Sequence, residues 1–142
     1  MAKTSVVQIV AIVFAAGCGA SGAVTGDGGI VPGHASCTQT QMVTSGGQTL
    51  SMKVCQEWMG MTVQELEVYR QGCGEATAVD AGFLQQRVFA QSPCSRQDAL
   101  GGCRQTVAGV TQTAWYYADD SGFTLASVQS LCTQLGGTFV EP

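Results

Sequence analysis

Seven cysteines are the residues of this chain that could do the most chemistry, because histidine is almost absent. They stand at positions 18, 37, 55, 73, 94, 103 and 132, and the single histidine is His34. A cysteine or serine nucleophile needs a base held in position, whereas His34 follows a glycine-rich stretch. No two cysteines have the Cys-x-x-Cys spacing of a zinc site. We therefore expect no cofactor, no metal and no catalytic histidine.

Carboxylates are the remaining groups that could act as acids, bases or cation ligands. The densest acidic stretch is Asp119-Asp120-Ser121-Gly122, a composition typical of a turn; the alternative is a weak calcium site, although the EF-hand ligand repeat is missing. We interpret Glu57 as a surface residue and Glu65 as a helix cap. The chain is thus predicted not to be an enzyme, with a carboxylate-based hydrolase as the alternative.

The first seventeen residues have the pattern of a secretory signal. Lys3 is followed by the run Val6 to Ala16, which is apolar apart from Gln8. This run is shorter than the ~20 residues that span a bilayer, and small residues follow it. The alternative is a buried helix of the mature fold.

The segment Ala15-Ala16-Gly17-Cys18 resembles the lipobox of bacterial lipoproteins. The resemblance implies that the signal is cut before Cys18 and that this cysteine carries lipid, including palmitate, which attaches the protein to a membrane. Gly19 follows where the inner-membrane retention signal of that family would place Asp, so the resemblance implies the outer membrane or cell surface. The alternative is cleavage nearby, which would leave a soluble periplasmic or extracellular protein.

Composition divides the rest of the chain into a tether and one domain. Residues 18–36 contain Cys18 and six glycines and read as a flexible tether, and residues 37–142 form one small domain. Without the first seventeen residues, five basic residues stand against ten acidic ones, a net side-chain charge of −5. This charge argues against a nucleic-acid partner.

An internal repeat predicts how the other six cysteines pair. Six cysteines in an exported chain read as three disulfides and allow 15 pairings. Cys37-Thr38-Gln39-Thr40 resembles Cys103-Arg104-Gln105-Thr106, which suggests a duplication of 37–93 in 94–142. If the two halves are equivalent, Cys37 pairs with Cys73 and Cys103 with Cys132, which leaves Cys55 for Cys94.

Local patterns predict an α+β fold, in which an antiparallel sheet built from two hairpin–helix units packs against two or three helices. Strands are expected at 38–43, 49–58, 102–107 and 111–117. Thr62 with Glu65, and Thr124, begin two helices. The inward residues are expected to be Val63, Leu66, Tyr69 and Cys73 in the first helix, and Leu125, Val128, Cys132 and Leu135 in the second. A segment at 80–91 has helical spacing, with a strand as the alternative.

Four aromatic residues are the candidates for contact with a ligand: Trp58, Trp115, Tyr116 and Tyr117. Trp115 and Tyr117 share one face of a strand and Tyr116 lies on the other, so core packing is the competing interpretation. The pattern from Cys94 to Phe139 resembles small cysteine-rich exported proteins of bacteria. We expect a membrane-anchored, non-enzymatic binding or envelope-structural module for an unknown protein or glycan. The alternative is a secreted effector such as a protease inhibitor or toxin.

Overall fold

A computed structural model describes residues 33–45, 47–74, 77–78, 83–119 and 122–142. The predicted signal peptide, Cys18 and the tether up to residue 32 lie outside these described residues. The first strand begins at His34. The last three residues of the predicted tether, His34 to Ser36, therefore belong to the folded domain.

One antiparallel sheet of seven strands organises the described part of the chain. Along the sheet the strand order is β3-β4-β1-β2-β6-β5-β7. The strands are β1 (His34–Ser45), β2 (Gln48–Met59), β3 (Thr77–Ala78), β4 (Phe83–Ala90), β5 (Ala99–Val107), β6 (Val110–Tyr117) and β7 (Thr138–Val140). The β1–β2 and β5–β6 hairpins lie side by side, because β2 pairs with β6.

The prediction of an α+β fold is wrong, because the sheet dominates and only two short helices accompany it within the described residues. These are α1 (Val63–Gly72) and α2 (Leu125–Gln134), ten residues each. Residues 83–90 of the segment with helical spacing form β4, which pairs with β1 along its length. Leu84 and Val88 would face inward in a helix but are 41% and 52% exposed in β4. Backbone pairing with a distant strand has overridden a local periodicity.

The predicted helix starts are confirmed. In α1 the Thr62 hydroxyl accepts from the Glu65 N–H at 3.3 Å, and the Glu65 carboxylate accepts from the Thr62 N–H at 2.7 Å. The same reciprocal arrangement joins Thr124 and Ser127 before α2. Each cap satisfies backbone N–H groups that have no partner inside the helix.

The inward faces of the helices are narrower than predicted. Val128 and Cys132 of α2 are fully buried. Val63, Leu125 and Leu135, which the periodicity also places inward, are 61%, 48% and 53% exposed. Helices of ten residues reach about 15 Å, so their terminal apolar residues extend beyond the part of the sheet that they contact.

Three disulfides tie the other segments to the sheet, and they are the pairs that the internal repeat predicts: Cys37–Cys73, Cys55–Cys94 and Cys103–Cys132. Two of them attach the helices. The third attaches the segment that joins β4 to β5, residues 91–98, which we call the β4–β5 connection.

The attachments fall on opposite faces of the sheet. Directly paired residues share a face, and the register gives one row of six residues: Phe89, Cys37, Gln56, Ala114, Cys103 and Phe139. Both helix disulfides start from this row. The neighbouring row faces the other side: Val88, Thr38, Cys55, Trp115, Gly102 and Val140. We call that side the connection face, because Cys55 binds the β4–β5 connection there.

Candidate functional site

The four aromatic residues considered as ligand contacts are all buried: Trp58, Trp115, Tyr116 and Tyr117. Trp58 packs against Tyr69 of α1, with ring centroids 4.6 Å apart, and Tyr116 packs against Phe123 at 5.4 Å. Trp115 and Tyr117 lie with the Cys55–Cys94 disulfide in a cluster on the connection face. These rings contribute their area to packing inside the domain.

A buried carboxylate, Glu57, is instead the centre of the most concentrated polar chemistry in the described residues. Its side chain is only 5% exposed, although the sequence suggested a surface position. One carboxylate oxygen lies 2.7 Å from His34 Nδ1. The other accepts hydrogen bonds from Arg96 Nη2 at 2.9 Å and from the Cys94 N–H at 3.1 Å. The carboxylate therefore cross-links β1, β2 and the β4–β5 connection.

The position of Glu57 follows from strand alternation and one disulfide. Cys55 and Glu57 are two residues apart in β2, so their side chains point to the same face. Cys94 and Arg96 are likewise two residues apart. When Cys55 bonds Cys94, with 6.0 Å between their Cα atoms, the carboxylate and the guanidinium are brought together.

Arg96 is held on two further sides. Its guanidinium lies over the Trp115 ring, 3.6 Å from the ring centroid, where the electron-rich ring face attracts a cation. Its Nη1 donates to the Cys94 carbonyl at 2.9 Å. Gly102 stands beside Trp115, and a Cβ there would approach the ring to about 3.0 Å. The absence of a side chain at 102 thus makes room for the indole that carries Arg96.

The rest of the β4–β5 connection is bonded to β6 and to the residue after it. The Tyr117 hydroxyl donates to the Ser95 carbonyl at 2.8 Å, and the Ala118 N–H donates to the Asp98 carbonyl at 2.9 Å. Burial raises the pKa of Tyr117, so the hydroxyl keeps its proton at neutral pH and remains a donor. The connection is consequently fixed from Cys94 to Asp98.

The local electrostatics keep Glu57 ionised. Burial alone would raise the pKa of Glu57, but hydrogen bonds from Arg96, the Cys94 N–H and His34, together with the positive charge of Arg96, outweigh burial and hold this pKa below 4.5. A carboxylate with both oxygens engaged is suited to joining segments. The same engagement leaves it poorly placed to attack a substrate.

The other residues considered for chemistry are the acidic stretch that begins at Asp119 and the single histidine, His34. Asp119 accepts a hydrogen bond from the Lys53 N–H at 2.6 Å, and Asp120 and Ser121 lie outside the described residues. In the part of the chain that the structure describes, no group of three or more His, Cys, Asp or Glu could hold a metal ion. His34, predicted to be a tether residue, is in a strand and contacts Glu57.

The sequence did contain a signal for the Glu57–Arg96 pair. Cys55-Gln56-Glu57 lies in a predicted strand, so a disulfide at Cys55 implies that Glu57 also faces inward. Cys94-Ser95-Arg96 has the same spacing. Pairing the two cysteines therefore indicates that the two charges meet. The His34 contact had no comparable signal, because it depends on where β1 begins.

Comparisons with known proteins add no relative: no family model, no curated protein and no solved structure matches this chain. None of the helices in the described ranges has the length and apolar character needed to cross a membrane. Three disulfides in a domain of this size fit a small cysteine-rich domain of an oxidising, exported compartment.

Proposed function

We propose that the protein is an exported lipoprotein that acts without catalysis, as a binding or structural module of the cell envelope. The observation that carries the proposal is the set of three disulfides, each of which attaches a separate segment to a single sheet. Such cross-links persist in oxidising compartments and stabilise small domains with modest cores. A rigid domain of this kind is suited to presenting a fixed surface.

A non-catalytic role is supported by the way in which the reactive groups are used. Both oxygens of Glu57 accept hydrogen bonds from the domain itself. Arg96 is shared between Glu57, the Cys94 carbonyl and the Trp115 ring. These contacts give the buried Glu57 carboxylate and the partly exposed Arg96 a structural role, which is to hold the β4–β5 connection on the sheet.

The membrane attachment rests on Cys18 and its lipobox-like context, since the other six cysteines are paired with one another. The test is metabolic labelling of cells with a fatty-acid analogue, comparing the wild type with Cys18→Ala. We expect label and membrane fractionation for the wild type only. Equal labelling of the two proteins, or recovery of the wild type only from the medium, would exclude the lipoprotein and favour the secreted effector.

The proposal that the protein acts without catalysis is tested separately, by asking whether variants restore the function of a strain that lacks the protein. His34→Ala and Asp119→Asn remove two of the side chains considered for chemistry, and we expect both variants to complement like the wild type. Correct folding is checked by the absence of free thiols under non-reducing conditions. A variant that folds but fails to complement would show that the replaced side chain takes part directly in the function, by ligand contact or by catalysis, whatever the result of the labelling.

A further inference from the structure

The first two residues of β1 have fewer strand partners than the rest of that strand. His34 and Ala35 pair with Met59 and Trp58 of β2, whereas pairing with β4 begins only at Ser36. Among the strands of the described residues, these two residues thus have β2 as their one neighbour. Ala35 is also packed in the buried cluster with Trp58, Met61 and Cys73, and His34 is held by its ring, whose Nδ1 lies 2.7 Å from Glu57.

We propose that the contact between His34 and Glu57 holds the start of β1 against β2 in a pH-dependent way. This contact, which we call the clasp, is stronger when the imidazole is charged and weaker when it is neutral. Histidine is the side chain whose ordinary charge change falls between pH 5 and 8. Either form of the ring can donate a hydrogen bond to the ionised carboxylate, but only the protonated ring adds the attraction between opposite charges. The Glu57 carboxylate keeps its position when the imidazole changes its charge, because Arg96 and the Cys94 N–H also hold the carboxylate.

The charges around the clasp come from identifiable elements. On the connection face, β2 contributes Glu57, the β4–β5 connection contributes Arg96, and β6 contributes the neutral hydroxyl of Tyr117. In the row that contains Glu57, β5 supplies the exposed Arg104 and β4 supplies the uncharged Ala90. Glu57 is therefore the acid that the structure places against His34. The protonated ring has a direct partner even though Arg96 competes for the same carboxylate.

The fold limits how far the clasp can open. The Cys37–Cys73 disulfide anchors β1 at its fourth residue, so opening is confined to His34, Ala35 and Ser36, of which Ser36 must also separate from Ala90 of β4. Ala35 and Ser36 are buried in the closed state. Opening would admit water to three residues of backbone and would leave the rest of the sheet intact.

The test is a double-mutant cycle on the full chain with its disulfides formed, using His34→Gln, Glu57→Gln and the double variant. Unfolding by urea is measured at about pH 5.5 and about pH 8.5, on either side of the ordinary histidine range. We expect the coupling between the two positions, expressed as a ratio of unfolding constants, to be about five- to tenfold larger at the lower pH. Equal coupling at both pH values, or stronger coupling at the higher one, would overturn the proposal.

A second measurement needs no variant. Amide hydrogen exchange of the wild type, corrected for the intrinsic pH dependence of exchange, should show about five- to tenfold less protection at Ala35 and Ser36 at the higher pH. Val43 and Leu50, at the other end of the same hairpin, should keep their protection. Gln48→His adds a histidine at an exposed position of β2 and should not change the pattern. Unchanged protection at Ala35 and Ser36 would contradict the clasp.

Discussion

Replacing Glu57 with glutamine tests whether the buried carboxylate holds the β4–β5 connection in place. The substitution keeps the size of the side chain and removes its charge. A hydrogen bond to a charged group contributes about 1.5–3 kcal/mol, and Glu57 accepts from Arg96 and the Cys94 N–H and contacts His34. The Arg96 and His34 side chains are 38% and 34% exposed. Water can therefore replace part of the hydrogen bonding that these side chains lose in the variant. We expect the free energy of unfolding to fall by about 2–3 kcal/mol at neutral pH.

The same substitution should change how stability depends on pH. The pKa of Glu57 in the folded protein lies below its ordinary value of 4.5, so the unfolded chain binds the proton more readily. The contribution of the carboxylate is therefore complete above about pH 4.5 and is lost as the pH falls through the lower, folded pKa. The difference between the wild type and Glu57→Gln should be large near neutral pH and should shrink under more acidic conditions.

The assay is urea unfolding followed by tryptophan fluorescence, with the disulfides intact, at a series of pH values. Glu67→Gln is the matched control. Hydrogen bonds from Arg70 lower the pKa of Glu67 to about 2, but both side chains of that pair are about half exposed. Exposed ion pairs stabilise proteins little, so this variant should unfold at nearly the urea concentration of the wild type.

Two results would refute this reasoning. Glu57→Gln could unfold at the same urea concentration as the wild type near neutral pH, which would mean that the buried contacts contribute nothing net. Alternatively, the difference in the free energy of unfolding between the wild type and the variant could stay constant from neutral to strongly acidic pH. The charge of Glu57 would then not be the cause of that difference.

Three further predictions concern the scaffold. Gly137→Ala should lower the free energy of unfolding by about 1–3 kcal/mol in thermal unfolding, because a Cβ there would collide with the disulfide of α2. The control is Gly72→Ala, at a helical position with open space around it. This control should be neutral or should stabilise the protein by up to about 1 kcal/mol. Thr62→Ala removes the cap of α1 and should cost about 1 kcal/mol in urea unfolding, and no loss would show that the cap is dispensable. Replacing Cys55 and Cys94 together with alanine opens a link between residues 39 apart. We expect a loss of about 3–4 kcal/mol, and an unchanged melting temperature would contradict it.

Local signals in the sequence were reliable where the interactions themselves are local. The capping pairs Thr62 with Glu65 and Thr124 with Ser127 involve residues three apart. A helix start can therefore be read without knowing what the helix packs against. The two hairpins are similarly short-range, since each needs only a turn and two adjacent strands.

The error in the fold class arose where the deciding interaction is distant. Residues of β4 have apolar side chains spaced as in a helix, yet β1 lies about forty residues earlier and supplies the backbone partners. Glu57 was misjudged for a related reason. Its polarity indicated solvent, while its burial depends on Arg96, which comes from a segment beyond another strand.

Spacing and neighbouring residues along the chain predict the attachments, which are six paired cysteines, two capped helices and two hairpins. Long-range strand pairing then places these attachments on one sheet, seven-stranded in the described residues, with helices linked to one face and the β4–β5 connection to the other. The physical reason is that sheet pairing satisfies backbone groups across long stretches of chain. Burial of a charge, likewise, depends on which partners those pairings bring beside it.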